Sequence, residues 1–272
     1  VKEYLSPIIY MFEEEMQKAL NIMKTTNDKN WFNNNQGITF SIPYATSSSF
    51  KETNSFNKIK SGCVYPKSLR SCHTHIPAMI ELNEEFGYFV GAYLADGMAN
   101  ELRIIISKQY PEFINPIKNL MTKWNIGYRY VESVKKEKQI NKTDDNGIEY
   151  TEIKQWKSYD HIFQSTLLAE LMAKLFGKTC NDKDLPLWVL QSNKEFQKGL
   201  ISGYFSGDGS VSIDGSINAC SVSKNMIKNI GLILNTFGIS WTFHERQQNL
   251  IKFPNAKEHI YHLHINKEYN EL

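Results

Sequence analysis

The sequence predicts an α+β protein made of two copies of one α-β-β-α-β-β unit, preceded by a smaller N-terminal region. Three observations predict it. A small-residue-rich apolar helix ending in Asp-Gly occurs twice, as GYFVGAYLADG at 87–97 and GLISGYFSGDG at 199–209. The order of helical and strand-like apolar patterns after each copy is the same, and a long internal repeat outranks any single motif. A polar segment, CNDKDLPLW at 180–188, separates the copies, with Pro186 barring helix through it. The expected divisions are an accessory region at 1–80, a first repeat at 81–186 and a second at 187–272.

Each element follows from its local pattern. In the N-terminal region a helix is expected from Ser6 or Pro7 to about Met23, with Ile8, Phe12, Met16, Ala19 and Leu20 as its apolar stripe. GITFSIPY (37–44) alternates like a short strand, and the Ser/Asn-rich run from 45 to 62 reads as loop. In the first repeat a helix at about 83–95 ends in Asp96-Gly97. LRIIIS reads as a buried strand, a helix follows from Pro111 to Trp124, and GYRYVESV is a strand. KKEKQINKTDDNG (135–147) reads as a long, charged, turn-rich connection, and IEYTEIKQW as a strand. STLLAELMAKLFG, with Leu167, Leu168, Leu171, Met172 and Leu175 in helical spacing, closes the unit. The second repeat runs from a helix ending at Asp208 through VSIDG and INACSV, a helix from Lys224 to Phe237, and strands at SWTFHERQ and HIYHLHI. Its expected last helix would lie beyond Leu272.

Composition narrows the function classes. Net charge is +2, so a nucleic-acid surface must be a local basic face rather than a global excess. No apolar run approaches the length of a membrane span. The N-terminus lacks the pattern of a signal peptide, and the four cysteines have no CxxC spacing. An intracellular protein of cytoplasm or nucleus, not secreted, is expected.

Gly91, Ala92 and Ala95 align with Gly203, Tyr204 and Gly207. The small pairs Gly91/Ala95 and Gly203/Gly207 each lie on one helix face, which lets two backbones approach closely. The two helices are therefore expected to pack together and to deliver Asp96 and Asp208 side by side. Two such carboxylates repel, and the negative helix ends add to the repulsion. Singly, each Asp-Gly is a helix stop. Repeated on matched helices, the pair suits divalent cations, above all Mg²⁺, which takes carboxylate, water and phosphate oxygens. Two such ions roughly 3.5–4 Å apart suit phosphodiester hydrolysis.

Arg103, Lys108, Arg129 and Lys135, with Lys136 and Lys138, lie on or near strands of the first copy; Lys224, Arg246 and Lys252 do so in the second. Each alone reads as a solvated charge. Together they suggest a basic strand face for DNA phosphates. Tyr128, Tyr130, Trp241 and Phe243 read as sheet packing, and His259, His262 and His264 as strand residues. Cys63, Cys72, His73 and His75 have no standard zinc-finger spacing.

The doubled motif, in register with the doubled element order, resembles the LAGLIDADG homing endonucleases in their single-chain, two-motif form, over about residues 81–272. The resemblance implies a pseudo-twofold pair of αββαββα units acting as a monomer. The motif helices would form the central interface and the sheets a saddle on double-stranded DNA. It also implies cleavage of both strands of a long asymmetric site, leaving short 3′ overhangs. The acidic residue ending each motif would bind the metals, which maps to Asp96 and Asp208. DKDLPLWVL resembles the intein-borne branch, where a lysine of this segment reaches the active site; that is Lys183, otherwise a linker lysine. The matching lysine of the second repeat would lie beyond Leu272. Residues 5–44 and HIPAMIELNEEFGYFVGAYLADG resemble RNA-polymerase-type inteins, but Val1 is no splicing nucleophile and no terminal His-Asn is present. The alternatives on this fold are a non-cleaving DNA-binding regulator and an RNA maturase.

Overall fold

The computed structural model describes residues 39–41, 56–60, 63–65, 76–77, 80–100, 102–143, 149–248 and 257–267; for 39–41, 56–60, 63–65, 135–143, 149–150 and 152–154 it describes the backbone alone. The first repeat comprises α1 (Glu84–Asp96), β5 (Gly97–Ala99), β6 (Ile104–Ser107), α2 (Pro111–Lys123), β7 (Gly127–Thr143), β8 (Glu149–Gln164) and α3 (Thr166–Phe176). A 3-10 turn at Leu187–Gln191 follows the linker. The second repeat comprises α4 (Lys194–Asp208), β9 (Gly209–Val211), β10 (Ile217–Ser221), α5 (Lys224–Thr236), β11 (Trp241–Gln247) and β12 (His259–Ile265). The second repeat's expected counterpart of α3 lies outside the described residues.

Both repeats build the same antiparallel sheet, with strand orders β5-β6-β8-β7 and β9-β10-β12-β11. One face of each sheet meets the helices, through Ile104, Ile106 and Phe163 in the first and Ala219, Leu263 and Ile265 in the second, all buried. Helix α2 covers the first sheet with Phe113, Ile117 and Leu120, and α5 covers the second with Ile227, Ile230 and Leu234. The start signals repeat as well. The Asn83 side chain accepts from the Phe86 N–H at 2.9 Å, and that of Asn193 from Phe196 N–H at 2.9 Å. These N-caps satisfy donors that the helix leaves free.

Two expectations are corrected. Residues 135–143 are not a connection: β7 continues to Thr143, pairing with β8 down to Thr143↔Glu149, with one register shift between Val134 and Lys136. Among the described residues the far part of this hairpin is a two-stranded ribbon with no third strand beside it. It therefore needs no apolar side, and the alternation that marks a half-buried strand is missing. The run 45–62 is not all loop, since Phe56–Lys60 forms β2 of a small meander with β1 (Thr39–Ser41), β3 (Cys63–Tyr65) and β4 (Ile76–Pro77). The expected helix at 6–23 lies outside the described residues, as do Cys72, His73 and His75. Among the described residues no helix is long and apolar enough to cross a membrane.

Candidate active site at the junction of the motif helices

Helices α1 and α4 meet through glycine. A Cβ on Gly91 would lie 2.0 Å from the Leu200 carbonyl oxygen, and one on Gly203 would lie 2.1 Å from that of Tyr88. Gly87 and Gly199 face equally close backbone, at Phe196 O (2.2 Å) and Glu84 O (2.0 Å). Sequence reasoning missed these two, although they open the repeated motifs. They lie one turn before Gly91 and Gly203, so the small-residue stripe runs three turns rather than two. Gly207 completes it: a Cβ there would meet the Ala95 Cβ at 2.4 Å and Asp96 Oδ2 at 3.2 Å. The stripe therefore brings the C-terminal ends of both helices together.

Each helix passes directly into a strand after its aspartate. Gly97 and Gly209 are extended rather than left-handed (φ −88° and −76°), and donate back to Tyr93 O and Phe205 O. A Cβ on Gly209 would overlap Phe205 O at 2.2 Å. These glycines clear space for the abrupt exit that leaves both carboxylates at the junction.

Asp96 and Asp208 occupy unequal environments. Lys108, just after β6, donates to Asp96 Oδ2 at 2.7 Å and to Gly207 O at 2.6 Å. The Asp208 carboxylate makes no hydrogen bond or ion pair with any described residue. Burial, then the nearby Asp96 charge, push it from 3.8 up to about 6, against the opposing pull of Lys183 and Lys108.

Lys183 is buried, not a solvated linker residue. Its Nζ donates to the Leu94 and Ala95 carbonyls, at 3.0 and 3.3 Å, and lies 5.3 Å from the Tyr93 ring centre. An ammonium here neutralises the negative end of α1. Burial lowers its pKa from 10.5 to about 8, although Asp208 and Asp96 pull it upward. The loop that aims it is pinned by its neighbour. Asp182 accepts from the Lys178 N–H (2.9 Å), the Thr179 N–H (2.7 Å) and the Thr179 hydroxyl (2.7 Å). Burial opposes ionisation there, but these bonds prevail and hold Asp182 at about 2. Gly177, at φ +86°, starts the turn.

The lowered pKa of Lys183 carries a stability signature. Between about pH 8 and 10.5 the unfolded chain binds the extra proton, so this group's contribution to stability rises with pH. Wild type is therefore expected to gain about 2 kcal/mol relative to Lys183→Met between pH 7.5 and 9.5, as read from thermal melts at the two values.

The expected basic residues separate by face. Tyr128 is on the helix-covered side, with the Lys118 ammonium of α2 over its ring at 4.7 Å. Arg129, its neighbour in β7, therefore lies on the open side and is exposed. In β11, Trp241 packs beneath Gly231 of α5, which puts Thr242, His244 and Arg246 on the open face opposite His264 and His262. Lys224 is on the covered side, paired with Glu245 at 3.1 Å. Arg103 is half-buried, and its Nε has no hydrogen-bond partner among the described residues. Lys135 lies in β7, its side chain outside the description. Lys108, expected on the strand face, sits in the site itself.

Among the described residues no group of three or more His, Cys, Asp or Glu side chains is placed to hold a metal. The donors at the junction are two carboxylates and helix-end carbonyls. Such a set fits Mg²⁺, which keeps several waters and takes substrate phosphate oxygens, better than a metal needing a full protein cage. The unpartnered, mostly buried Asp208 carboxylate is the feature that fits a cation most directly.

Residues 195–270 match the family model described as a LAGLIDADG-like domain. The chain is 34% identical over 193 residues to DNA-directed RNA polymerase subunit Rpo1C of Methanocaldococcus jannaschii, covering 70% of this chain and 20% of that subunit. It thus spans about a fifth of the length of that relative. Among solved structures it is similar to I-DmoI in complex with DNA and Ca, with a TM-score of 0.44 at 15% identity over 70% of this chain and 86% of that one. It is also similar to I-DmoI in complex with DNA and Mn (TM-score 0.43, 14% identity, 70% and 93% covered). Residues 195–270 thus form a LAGLIDADG-like domain, and the first repeat carries the same small-residue motif, element order and sheet topology.

Proposed function

We propose that the protein is a site-specific double-strand DNA endonuclease that hydrolyses phosphodiesters with Mg²⁺ at a long asymmetric target, acts as a monomer inside the cell, and derives from an intein. One observation carries the chemistry: the Asp208 carboxylate, mostly buried and without a hydrogen-bond partner among the described residues, stands beside Asp96 where two repeats join. A divalent cation bound there would lower the pKa of an attacking water and stabilise the leaving oxygen. Asp96 and Asp208, one from each repeat, would supply carboxylate oxygens to it. Lys183, held near the negative end of α1 with a pKa of about 8, is able to hold or give up a proton near neutral pH. Arg129 and Arg246 on the open sheet faces take phosphates. Thr242 and His244 are exposed on the open face of the second sheet, across from His264 and His262, where they are available to base edges. Because the sheets carry different side chains, the target is asymmetric. The similarity to one-fifth of an RNA polymerase subunit supports an element lodged in such a gene.

The test uses a plasmid carrying the host gene joined across the insertion point. Linear product in Mg²⁺ and none in EDTA is the expected result. Tight binding without cleavage in Mg²⁺ favours the regulator reading, to which the Lys108–Asp96 pair lends some support. Preference for structured RNA favours a maturase.

A further inference from the structure

The two halves of the junction differ in the residue that follows the strand beside each motif end, and strand register places that difference in the sequence. Gly97 pairs with Ile106 in the first sheet, and Gly209 with Ala219 in the second. Two residues further along each strand direction stand Lys108 and Ser221. The repeat axis therefore sets a lysine against a serine at the same place beside the motif ends.

Lys108 is held there. His161 Nε2 lies 2.9 Å from the Lys108 carbonyl oxygen, while its Nδ1 lies 2.8 Å from the Tyr128 hydroxyl. With Nε2–H donating to that carbonyl and Nδ1 accepting from the tyrosine, one neutral tautomer satisfies both. Burial, the leading influence on His161, favours the neutral ring. The Lys108 N–H donates to Tyr159 O at 3.0 Å. The backbone is thus fixed on both sides. The ammonium reaches across to a carboxylate of one repeat and a helix-end carbonyl of the other, Asp96 Oδ2 and Gly207 O. Both are oxygen donors of the kind a divalent cation takes.

We propose that Lys108 is a resident cation that occupies the Asp96–Gly207 side of the junction, so that the two motif carboxylates bind divalent metal unequally, first and more tightly on the Asp208 side. The inference rests on the reading of the junction as a metal site. It makes the asymmetry of the site a property of the protein before any DNA is bound. An ammonium hydrogen-bonded to Asp96 must be displaced, or share its oxygen, before a second ion binds. Among the described residues no ammonium is hydrogen-bonded to Asp208, whose matching position is Ser221; Lys183, which pulls on its charge, donates to the Leu94 and Ala95 carbonyls instead.

The test titrates the full chain with Mn²⁺ and follows the free-ion signal by electron paramagnetic resonance. Wild type, Lys108→Gln, Asp208→Asn and Lys108→Gln/Asp96→Asn are compared, each checked for fold by circular dichroism. Wild type is expected to bind one Mn²⁺ at least tenfold more tightly than a second. Lys108→Gln should tighten the weaker phase about tenfold and leave the tighter one in place. Asp208→Asn should remove the tighter phase, and adding Asp96→Asn to Lys108→Gln should remove the gained one. Two equal phases in wild type, or a Lys108→Gln isotherm that overlays wild type, overturns the resident-cation proposal while leaving the metal site standing. Mn²⁺ binding that survives Asp208→Asn and the double variant unchanged overturns the metal site and this proposal with it.

Discussion

Asp208→Asn is expected to abolish cleavage, by about 10³-fold or more, and at the same time to make the protein more stable at neutral pH. The two effects have one cause. The carboxylate is mostly buried beside Asp96, and its pKa is lifted from 3.8 to about 6. Between those values the folded chain binds a proton that the unfolded chain has lost. Stability from this group therefore falls as pH rises through about 4 to 6, then stays low. At pH 7.5 the ionised form carries a cost of roughly 3 kcal/mol as an upper figure, which asparagine, uncharged, does not. Thermal melts of wild type and Asp208→Asn should differ by several degrees at pH 7.5 and converge near pH 3.5. DNA binding in Ca²⁺, measured by gel shift, should persist because the open sheet faces are untouched. A variant that is less stable at pH 7.5 than wild type would mean the carboxylate is structural, a helix stop with no cation to serve. Equal cleavage by the variant would remove the nuclease chemistry from this junction.

Asp96→Asn should cost cleavage similarly without the same stability gain. Its carboxylate already has Lys108 at 2.7 Å, so removing the charge strands the ammonium. The pair of aspartates was legible in the sequence because the motif is doubled, but their inequality was not. It depends on where the residue after β6 falls relative to the helix end, a matter of strand register that no spacing rule supplies. Lys108 looked like one of several strand-borne basic residues for the same reason. Lys183 was found through the segment it sits in, yet its burial depends on the turn that Gly177 and Asp182 impose. The order of the two repeats, by contrast, followed almost element for element from apolar periodicity, since each helix and most strands cover one core face. The periodicity failed where no core is present. The outer part of the β7–β8 ribbon and the short strand at Phe56–Lys60 are held by backbone ladders, whose partners are distant in sequence or hidden among polar residues.

The glycine stripe provides the largest expected effect on folding, and its sign separates local preference from packing. Glycine inside a helix is less favourable than alanine by about 1 kcal/mol. On propensity alone, Gly203→Ala in α4 and Gly91→Ala in α1 should stabilise the protein. The structure demands the reverse. The new methyl carbons would lie 2.1 Å from Tyr88 O and 2.0 Å from Leu200 O, both backbone atoms of the facing helix. No rotamer change relieves such an overlap, so the helices must separate. Separation opens the core on both sides of the contact, where Phe86, Phe89, Phe196 and Tyr204 are buried. A loss of roughly 3 kcal/mol or more is expected for each substitution, and the two together should lose less than their sum because one helix separation relieves both. Gly127→Ala is the control: its methyl would make only ordinary van der Waals contact, with the nearest atom, on Gln164, 3.9 Å away. Urea unfolding should leave that variant within about 1 kcal/mol of wild type. Any Gly91→Ala or Gly203→Ala protein that remains folded should also cleave poorly, since the helix ends that carry Asp96 and Asp208 move apart with the helices. If either variant unfolds at a higher urea concentration than wild type, propensity governs and the helices do not meet as closely as the junction requires.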